Sequence, residues 1–215
     1  MMQHRAMDGV AIVITDKAIE RRERAIDGHQ ARADRFARIV QAGESDPWFA
    51  LRVMTGCEKA VENALVEKAV EALVPMRKGK SWERRGRRIE GKMMPVIHGY
   101  VLVRFLADVY AFETVSTVDK VIGFLRAGEQ PKRISHSEVK RFHHRAVEGR
   151  YDWQAMSAIR LNAGDRVRMT DGPFEGMTAE VVTPNRKGQG DVVVIVSILG
   201  GEVPVTVPLA MVEKL

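Results

Sequence analysis

The sequence predicts an α+β protein in which a ferredoxin-like α/β sandwich domain with a basic hairpin is followed by a small β-barrel. Between residues 48 and 125, strand-like and helix-like apolar patterns follow one another in the order β-α-β, polar segment, β-α-β. After residue 160, short strand-like runs recur at even spacing with turn residues between them. These patterns divide the chain into an extension (1–46), a first domain (47–147), a linker (148–160) and a barrel (161–215).

The extension, residues 1–46, precedes the first strand-like pattern of the chain. Its residues 17–41 form a helical pattern whose apolar face is thin and is interrupted at Gly28. Two interpretations stay open for this extension: a segment without fixed structure, or a helix that docks on another surface.

The first domain opens with a strand on which Phe49, Leu51 and Val53 share one face. A helix follows, and the acidic side chains of Glu58 and Glu62 suit its amino-terminal end because of the helix dipole. Helices on one face of the sheet would leave the other face open for a partner. The expected helices are 58–70, 109–118 and 137–147, the last capped by Ser135 or Ser137, and the later strands are 72–76, 99–105 and 121–125.

Residues 77–92 are the most polar part of the first domain, with eight Lys and Arg residues against two Glu residues. Glycines punctuate the segment, as in an exposed hairpin. The functional interpretation is contact with DNA phosphates, with Trp82 available to stack on a base. The alternative is a solvated loop. The candidate nucleic-acid-binding residues are Lys78, Lys80, Arg84, Arg85, Arg87 and Arg88.

The net charge of +6 is unevenly distributed along the chain. Residues 48–147 carry a net charge of +8, whereas residues 161–215 carry −2. A basic domain favours an anionic partner, and a slightly acidic barrel favours a protein. We therefore expect the first domain, and not the barrel, to contact nucleic acid.

Composition also restricts the compartment and the chemistry. The single cysteine, Cys57, excludes an internal disulfide and a cysteine cluster for zinc. We find no signal-peptide pattern and no run near the roughly 18 apolar residues that a membrane span needs. The expectation is a cytoplasmic, monomeric protein that does not associate with membranes.

Two groups of motifs resemble the NusG family of transcription factors. The segment from Gly164 to Gly176 (GDRVRMTDGPFEG) resembles the KOW motif of that family, with Phe174 at the tip of a turn. Upstream, WFALRV at 48–53, GYVLV at 99–103 and VIGFL at 121–125 look like strands of the family's amino-terminal domain. The resemblance is colinear over about residues 47–215.

The resemblance implies an elongation and termination/antitermination factor that has no catalytic activity. In this family the amino-terminal domain binds the clamp of the RNA polymerase β′ subunit beside upstream or non-template DNA and suppresses pausing. The KOW domain recruits Rho or a ribosomal protein. By position, the polymerase-binding residues would be Phe49, Val96, Ile97, Tyr100 and Leu102, and the KOW partner-binding residues Phe174, Ile198 and Leu199.

Two departures from the family pattern indicate a divergent or specialised paralogue. Aromatic residues and a proline usually precede the Gly-Tyr pair, whereas Val96, Ile97 and His98 stand there in this chain. Leu199 replaces a phenylalanine. Neither change separates general from operon-specific action.

A second function class stays open: a KOW-type RNA-binding protein of ribosome assembly. It would be expected to have a basic barrel. The sequence shows no P-loop, nucleophile elbow or dinucleotide glycine pattern, so we expect no enzyme and no cofactor. Its later histidines lack the spacing of metal ligands and are interpreted as surface residues: His98, His136, His143 and His144.

Overall fold

The computed structural model describes residues 46–107, 109–155, 157, 159–184, 190–198 and 201–215. The predicted helix at 17–41 lies outside these residues. The chain has a mixed α/β architecture; residues 47–147 are here called the central domain, residues 148–160 the connecting segment and residues 161–215 the C-terminal unit. The helices of the central domain are α1 (Glu58–Val66), α2 (Val109–Ser116) and α3 (His136–Val147).

The central domain is built on one four-stranded antiparallel sheet. Its strands are β1 (Trp48–Val53), β2 (Glu71–Leu73), β7 (Tyr100–Arg104) and β8 (Val121–Phe124). They lie in the order β2-β7-β1-β8. The predicted succession β-α-β, polar segment, β-α-β is therefore observed.

One face of this sheet, the helix face, packs against α1 and α2. It carries Phe49, Leu51 and Val53 of β1, as the alternation predicts, together with Val101 and Val103 of β7. Val61 and Leu65 of α1 and Ala111 and Val115 of α2 complete this apolar core. The interior of the central domain thus lies between the sheet and two helices.

Two buried carboxylates hold loops to α1. The backbone N–H of Gly99 donates to Glu58 Oε1 at 2.7 Å, and that of Val74 donates to Glu62 Oε1 at 2.8 Å. The sequence predicts these acids to act through the helix dipole. They instead satisfy backbone donors that would otherwise be buried without partners.

The basic segment forms two nested strand pairs. Its base is β3 (Met76–Lys78) with β6 (Met93–Pro95), and its tip is β4 (Trp82–Arg84) with β5 (Arg87–Ile89). The tip turns on Arg85 and Gly86, whose φ angles are +52° and +71°. Two positive φ angles in a two-residue loop match the twist of a hairpin, so this part of the predicted basic hairpin is present.

A short hairpin, β9 (Arg126–Ala127) with β10 (Gln130–Pro131), leads to α3. Ser135 caps this helix: its hydroxyl accepts from the Glu138 N–H, and the Glu138 carboxylate accepts from the Ser135 N–H. This capping box resolves the predicted choice between Ser135 and Ser137.

The C-terminal unit is a five-stranded antiparallel sheet in the order β14-β13-β12-β11-β15. The expected closed barrel is not formed by hydrogen bonds between β14 and β15 among the described residues. The short 3-10 turn Leu209–Met211 carries the chain away from β14, so that β15 pairs with β11 instead. The strands are β11 (Arg166–Met169), β12 (Thr178–Thr183), β13 (Asp191–Ile198), β14 (Gly201–Pro208) and β15 (Val212–Lys214).

Candidate functional site

The second face of the central sheet, here called the covered face, is apolar. Because side chains alternate along a strand, Trp48 and Ala50 of β1 and Tyr100 and Leu102 of β7 point to the side opposite the helices. Val96 and Ile97, just before β7, add to the same apolar cluster. Four of the five predicted polymerase-binding residues therefore lie together: Val96, Ile97, Tyr100 and Leu102.

Phe49, the fifth predicted residue, does not join this face. It is 1% exposed on the helix face, where its ring packs against those of Phe105, Phe112 and Phe124. Neighbouring residues of a strand point to opposite faces of the sheet. The prediction that Phe49 shares a surface with Tyr100 is therefore wrong. Its neighbour Trp48 occupies the covered face instead.

The C-terminal unit lies on the covered face, which the sequence predicts to be open. Phe174 is fully buried, and its ring meets that of Tyr100 edge-on at 5.1 Å between centroids. Tyr100 itself is only 8% exposed, and burial raises the pKa of its hydroxyl. Phe174, expected at an exposed turn, is thus a contact within the chain.

Gly172 permits this close approach. A Cβ at this position would lie 3.1 Å from Met211 Cε of the C-terminal unit and 3.2 Å from Ile97 Cδ1 and Phe142 Cζ of the central domain, and the φ angle of Gly172 is +72°. Gly176, at the other end of the same loop, has a similar φ of +79° but open space around it. A side chain at Gly172 would therefore strain the backbone and push the two parts of the molecule apart, whereas one at Gly176 would only strain the backbone.

Ion pairs border the apolar contact. Arg145 Nη1 lies 2.6 Å from both carboxylate oxygens of Asp171, and Arg141 Nη2 lies 2.6 Å from Glu175 Oε1 and Oε2. Lys132 Nζ donates to the Glu175 backbone oxygen at 3.1 Å, and burial lowers the pKa of this lysine. In each contact the cation belongs to the central domain and the acceptor to the C-terminal unit.

A third ion pair is buried more deeply. Arg77 is 1% exposed; its Nη2 donates to Asp191 Oδ2 at 2.8 Å and its Nη1 to the Tyr151 backbone oxygen at 3.3 Å. The sequence predicts that Arg77 belongs to the exposed basic segment, but in the structure its side chain is buried. The opposite charges of the two parts thus meet in one interface.

The connecting segment contacts both parts. Tyr151 is buried, with its ring centroid 5.5 Å from that of Phe142. Burial is the main cause that raises the pKa of Tyr151, and the negative charge of Asp171 is the second. The Lys78 N–H donates to Asp152 Oδ1, and the Trp153 N–H donates to the Lys78 oxygen. The predicted linker is therefore anchored at its first half.

The predicted nucleic-acid-binding residues are all exposed. Arg84, Arg85, Arg87 and Arg88 occupy the β4–β5 tip beside Trp82, which is 45% exposed. Lys78 and Lys80 lie nearer the connecting segment, where Lys80 Nζ is 6.0 Å from the ring centroid of Trp153.

Of the three predicted KOW partner-binding residues, only Phe174 has a described side chain. Phe174 is buried against Tyr100. Ile198 is the last residue of β13, and its side chain lies outside the described residues, as does the whole of Leu199.

Sequence analysis missed the residues that join the two parts. Arg141 and Arg145 of α3 and their partners Asp171 and Glu175 were not singled out. The available signal was the opposite sign of the two segment charges, which identifies complementary parts but not the residues that meet.

The described residues show no group of three or more His, Cys, Asp or Glu side chains arranged to hold a metal ion. His136 Nδ1 accepts a hydrogen bond from Trp48 Nε1 at 3.0 Å. Within the same part of the chain, no helix has the length and apolar character required to cross a bilayer.

Comparison with known proteins shows what the chain is similar to. A family model described as "Transcription termination factor nusG" matches residues 46–143, which is nearly the whole central domain. Among solved structures, the chain described as "Domain interaction in Thermotoga maritima NusG" is 26% identical in sequence. The match covers 80% of this chain and 99% of that chain, with a TM-score of 0.42.

Similar proteins named "Transcription termination/antitermination protein NusG" align over most of their own length. That of Synechocystis sp. is 27% identical over 189 residues, covering 78% of this chain and 88% of that protein. That of Thermus thermophilus is 29% identical over 185 residues, covering 78% and 97%. That of Deinococcus radiodurans is 28% identical over 193 residues, covering 78% and 98%. The family model and these relatives agree: the chain is similar to NusG transcription factors over about four fifths of its length.

Proposed function

We propose that this protein is a transcription elongation and termination/antitermination factor that binds the clamp of the RNA polymerase β′ subunit through its covered face. The observation that carries the proposal is the apolar cluster around Tyr100, with Val96, Ile97 and Leu102, which occupies the family's polymerase-binding positions. The names of the relatives support a role in transcription.

We call the observed arrangement, in which the C-terminal unit lies on the covered face, the closed form. Under this proposal the closed form cannot bind polymerase. Phe174 of the C-terminal unit fills the place on Tyr100 that the clamp would take. The factor therefore has to open before it binds. Opening would also free Phe174 for a second protein, Rho or a ribosomal protein, together with Ile198 and Leu199.

The β4–β5 tip is proposed to contact upstream or non-template DNA. Its four arginines are exposed, and within the described ranges none of them pairs with a carboxylate of the C-terminal unit, although Arg88 Nη2 donates to Gln154 Oε1 at 3.0 Å. They are therefore available to phosphates in the closed form. Lys78 and Lys80 would extend this contact toward the connecting segment. Replacing the four arginines with glutamine should weaken DNA binding and flatten its dependence on salt.

The central domain is proposed to be a ferredoxin-like sandwich and the C-terminal unit a KOW barrel, in a cytoplasmic, monomeric factor without catalytic activity or cofactor. The alternative, an RNA-binding protein of ribosome assembly, is less well supported because the C-terminal unit has a net charge of −2.

Retention by core RNA polymerase tests the proposal. Gly172→Val should open the molecule and raise retention relative to the parent, whereas Gly176→Val should not. Adding Tyr100→Ala to Gly172→Val should abolish retention. Tyr110→Ala is the matched control, because Tyr110 is 78% exposed on α2 and far from the covered face in the fold. Failure of the Gly172→Val protein to bind polymerase would refute the proposal.

A further inference from the structure

The loop from Asp171 to Glu175 occupies the covered face as a bound ligand would. Its Phe174 lies on Tyr100, and the carboxylates on either side of Phe174 reach Arg145 and Arg141. These two arginines are four residues apart on α3, so they project from the same side of the helix. One apolar group flanked by two acidic groups therefore matches one aromatic site flanked by two cations.

We infer that the polymerase segment which displaces the C-terminal unit presents the same chemistry: an apolar side chain between carboxylates. The inference rests on the proposed function and adds the chemical character of the partner surface. It identifies Arg141 and Arg145 as partner-binding residues of the open form, in addition to their role in holding the closed form.

Opening of the molecule breaks the ion pairs between the two parts. Asp171 is almost fully buried in the closed form, and the side chain of Arg145 is only 32% exposed beside it. Arg77 is buried more completely and loses Asp191 when the C-terminal unit leaves. Opening removes the unit that covers Arg141 and Arg145 together with their anions, so both cations return to water and the cost is the lost attraction of the two pairs. A partner that supplies carboxylates at these positions offsets that cost.

The same geometry favours a protein over a nucleic acid on this face. Nucleic-acid phosphates would satisfy the arginines, but they would leave the aliphatic surface of Val96, Ile97 and Leu102 uncovered. Protein interfaces combine an apolar centre with a polar rim, which is the arrangement observed here. The exposed arginines suited to DNA lie elsewhere, on the β4–β5 tip.

The test separates the two roles of the arginines. In a parent carrying Asp171→Asn and Glu175→Gln, the ion pairs that Arg141 and Arg145 make in the closed form are already removed, while Arg77 keeps Asp191. Affinity for core RNA polymerase without nucleic acid is then measured, by fluorescence anisotropy of the labelled full chain, for this parent and for derivatives with Arg141→Gln and Arg145→Gln. Lys140→Gln is the matched control, because Lys140 is an exposed cation on the same helix.

The inference predicts that the arginine changes weaken binding by about tenfold or more, since truncating one partner of a desolvated charge pair is costly, and that Lys140→Gln has no effect. Unchanged affinity after the arginine changes would overturn it, since the arginines would then only hold the closed form. An arginine effect that arises only when a nucleic-acid scaffold is added would also overturn it, in favour of phosphate. Absence of binding by every variant, Gly172→Val included, would overturn the proposed function itself.

Discussion

The two faces of the central sheet are both buried, but they are buried by different kinds of contact. The helix face is covered by α1 and α2 from the same domain, and its contacts are apolar rings and aliphatic side chains. The covered face meets a separate part of the chain, and ion pairs surround its apolar centre. The first arrangement is that of a domain core, and the second resembles an interface between domains that separate. Burial alone therefore does not distinguish a core from a docking surface.

The largest expected effect is on the helix face. Phe49→Ala should lower the free energy of unfolding of the central domain by about 3–5 kcal/mol, because it removes a ring packed against three others. Denaturant titration measures this effect, with the exposed Tyr110→Ala as the control. A loss below about 1 kcal/mol would contradict the assignment of Phe49 to the core.

The second effect concerns separation of the two parts without loss of either fold. Gly172→Val should give the central domain and the C-terminal unit different rotational correlation times in NMR relaxation, whereas the parent shows one. Gly176→Val carries the same backbone strain without the contact to Ile97 and Phe142. Equal behaviour of the two variants would show that backbone strain, not the contact, governs the arrangement.

A smaller effect is expected from salt. Raising NaCl from about 0.05 M to about 0.5 M should increase the open population, because partly exposed ion pairs such as Arg141 with Glu175 are screened. The increase should be lost in the Asp171→Asn/Glu175→Gln protein. A salt response that persists there would place the sensitivity outside these pairs. The same relaxation measurement serves as the readout.

The smallest effect is on α3, which carries the arginines. The hydrogen bond from Ser135 lowers the pKa of Glu138, so its stabilisation is present above the ordinary pKa of a glutamate and is lost as pH falls through the lowered value. Glu138→Gln should cost less than about 1 kcal/mol at pH 7 and should flatten the acid dependence of stability. Unfolding measured at several pH values tests this, with the exposed Glu113→Gln as control.

Local sequence patterns predicted the elements well because each depends on neighbouring residues. Alternation predicted the strand that carries Phe49, Leu51 and Val53, and a serine at 135 or 137 was expected to cap α3. The resemblance, by position, placed Phe49 and Tyr100 in one site, because matching positions to a family does not fix which face of the sheet each side chain occupies.

The contacts between the two parts could not be predicted in this way. Arg77 pairs with a carboxylate 114 positions away, and Arg145 with one 26 positions away. In the sequence Arg77 is one cation in a basic run, and nothing local distinguishes it from Arg84. Phe174 lies in a turn, where exposure is the ordinary expectation, and only the covered face explains its burial.

The anchoring of Tyr151 has a consequence for competition. If the first half of the connecting segment stays docked when the molecule opens, the C-terminal unit remains on a short tether at a millimolar effective concentration, the order typical of short linkers. A partner in solution would then compete with the tethered C-terminal unit for the covered face. Its apparent affinity falls in proportion to the open fraction. With such a tether, only partners held near the protein at high local concentration would bind the covered face, and partners that meet it transiently would not.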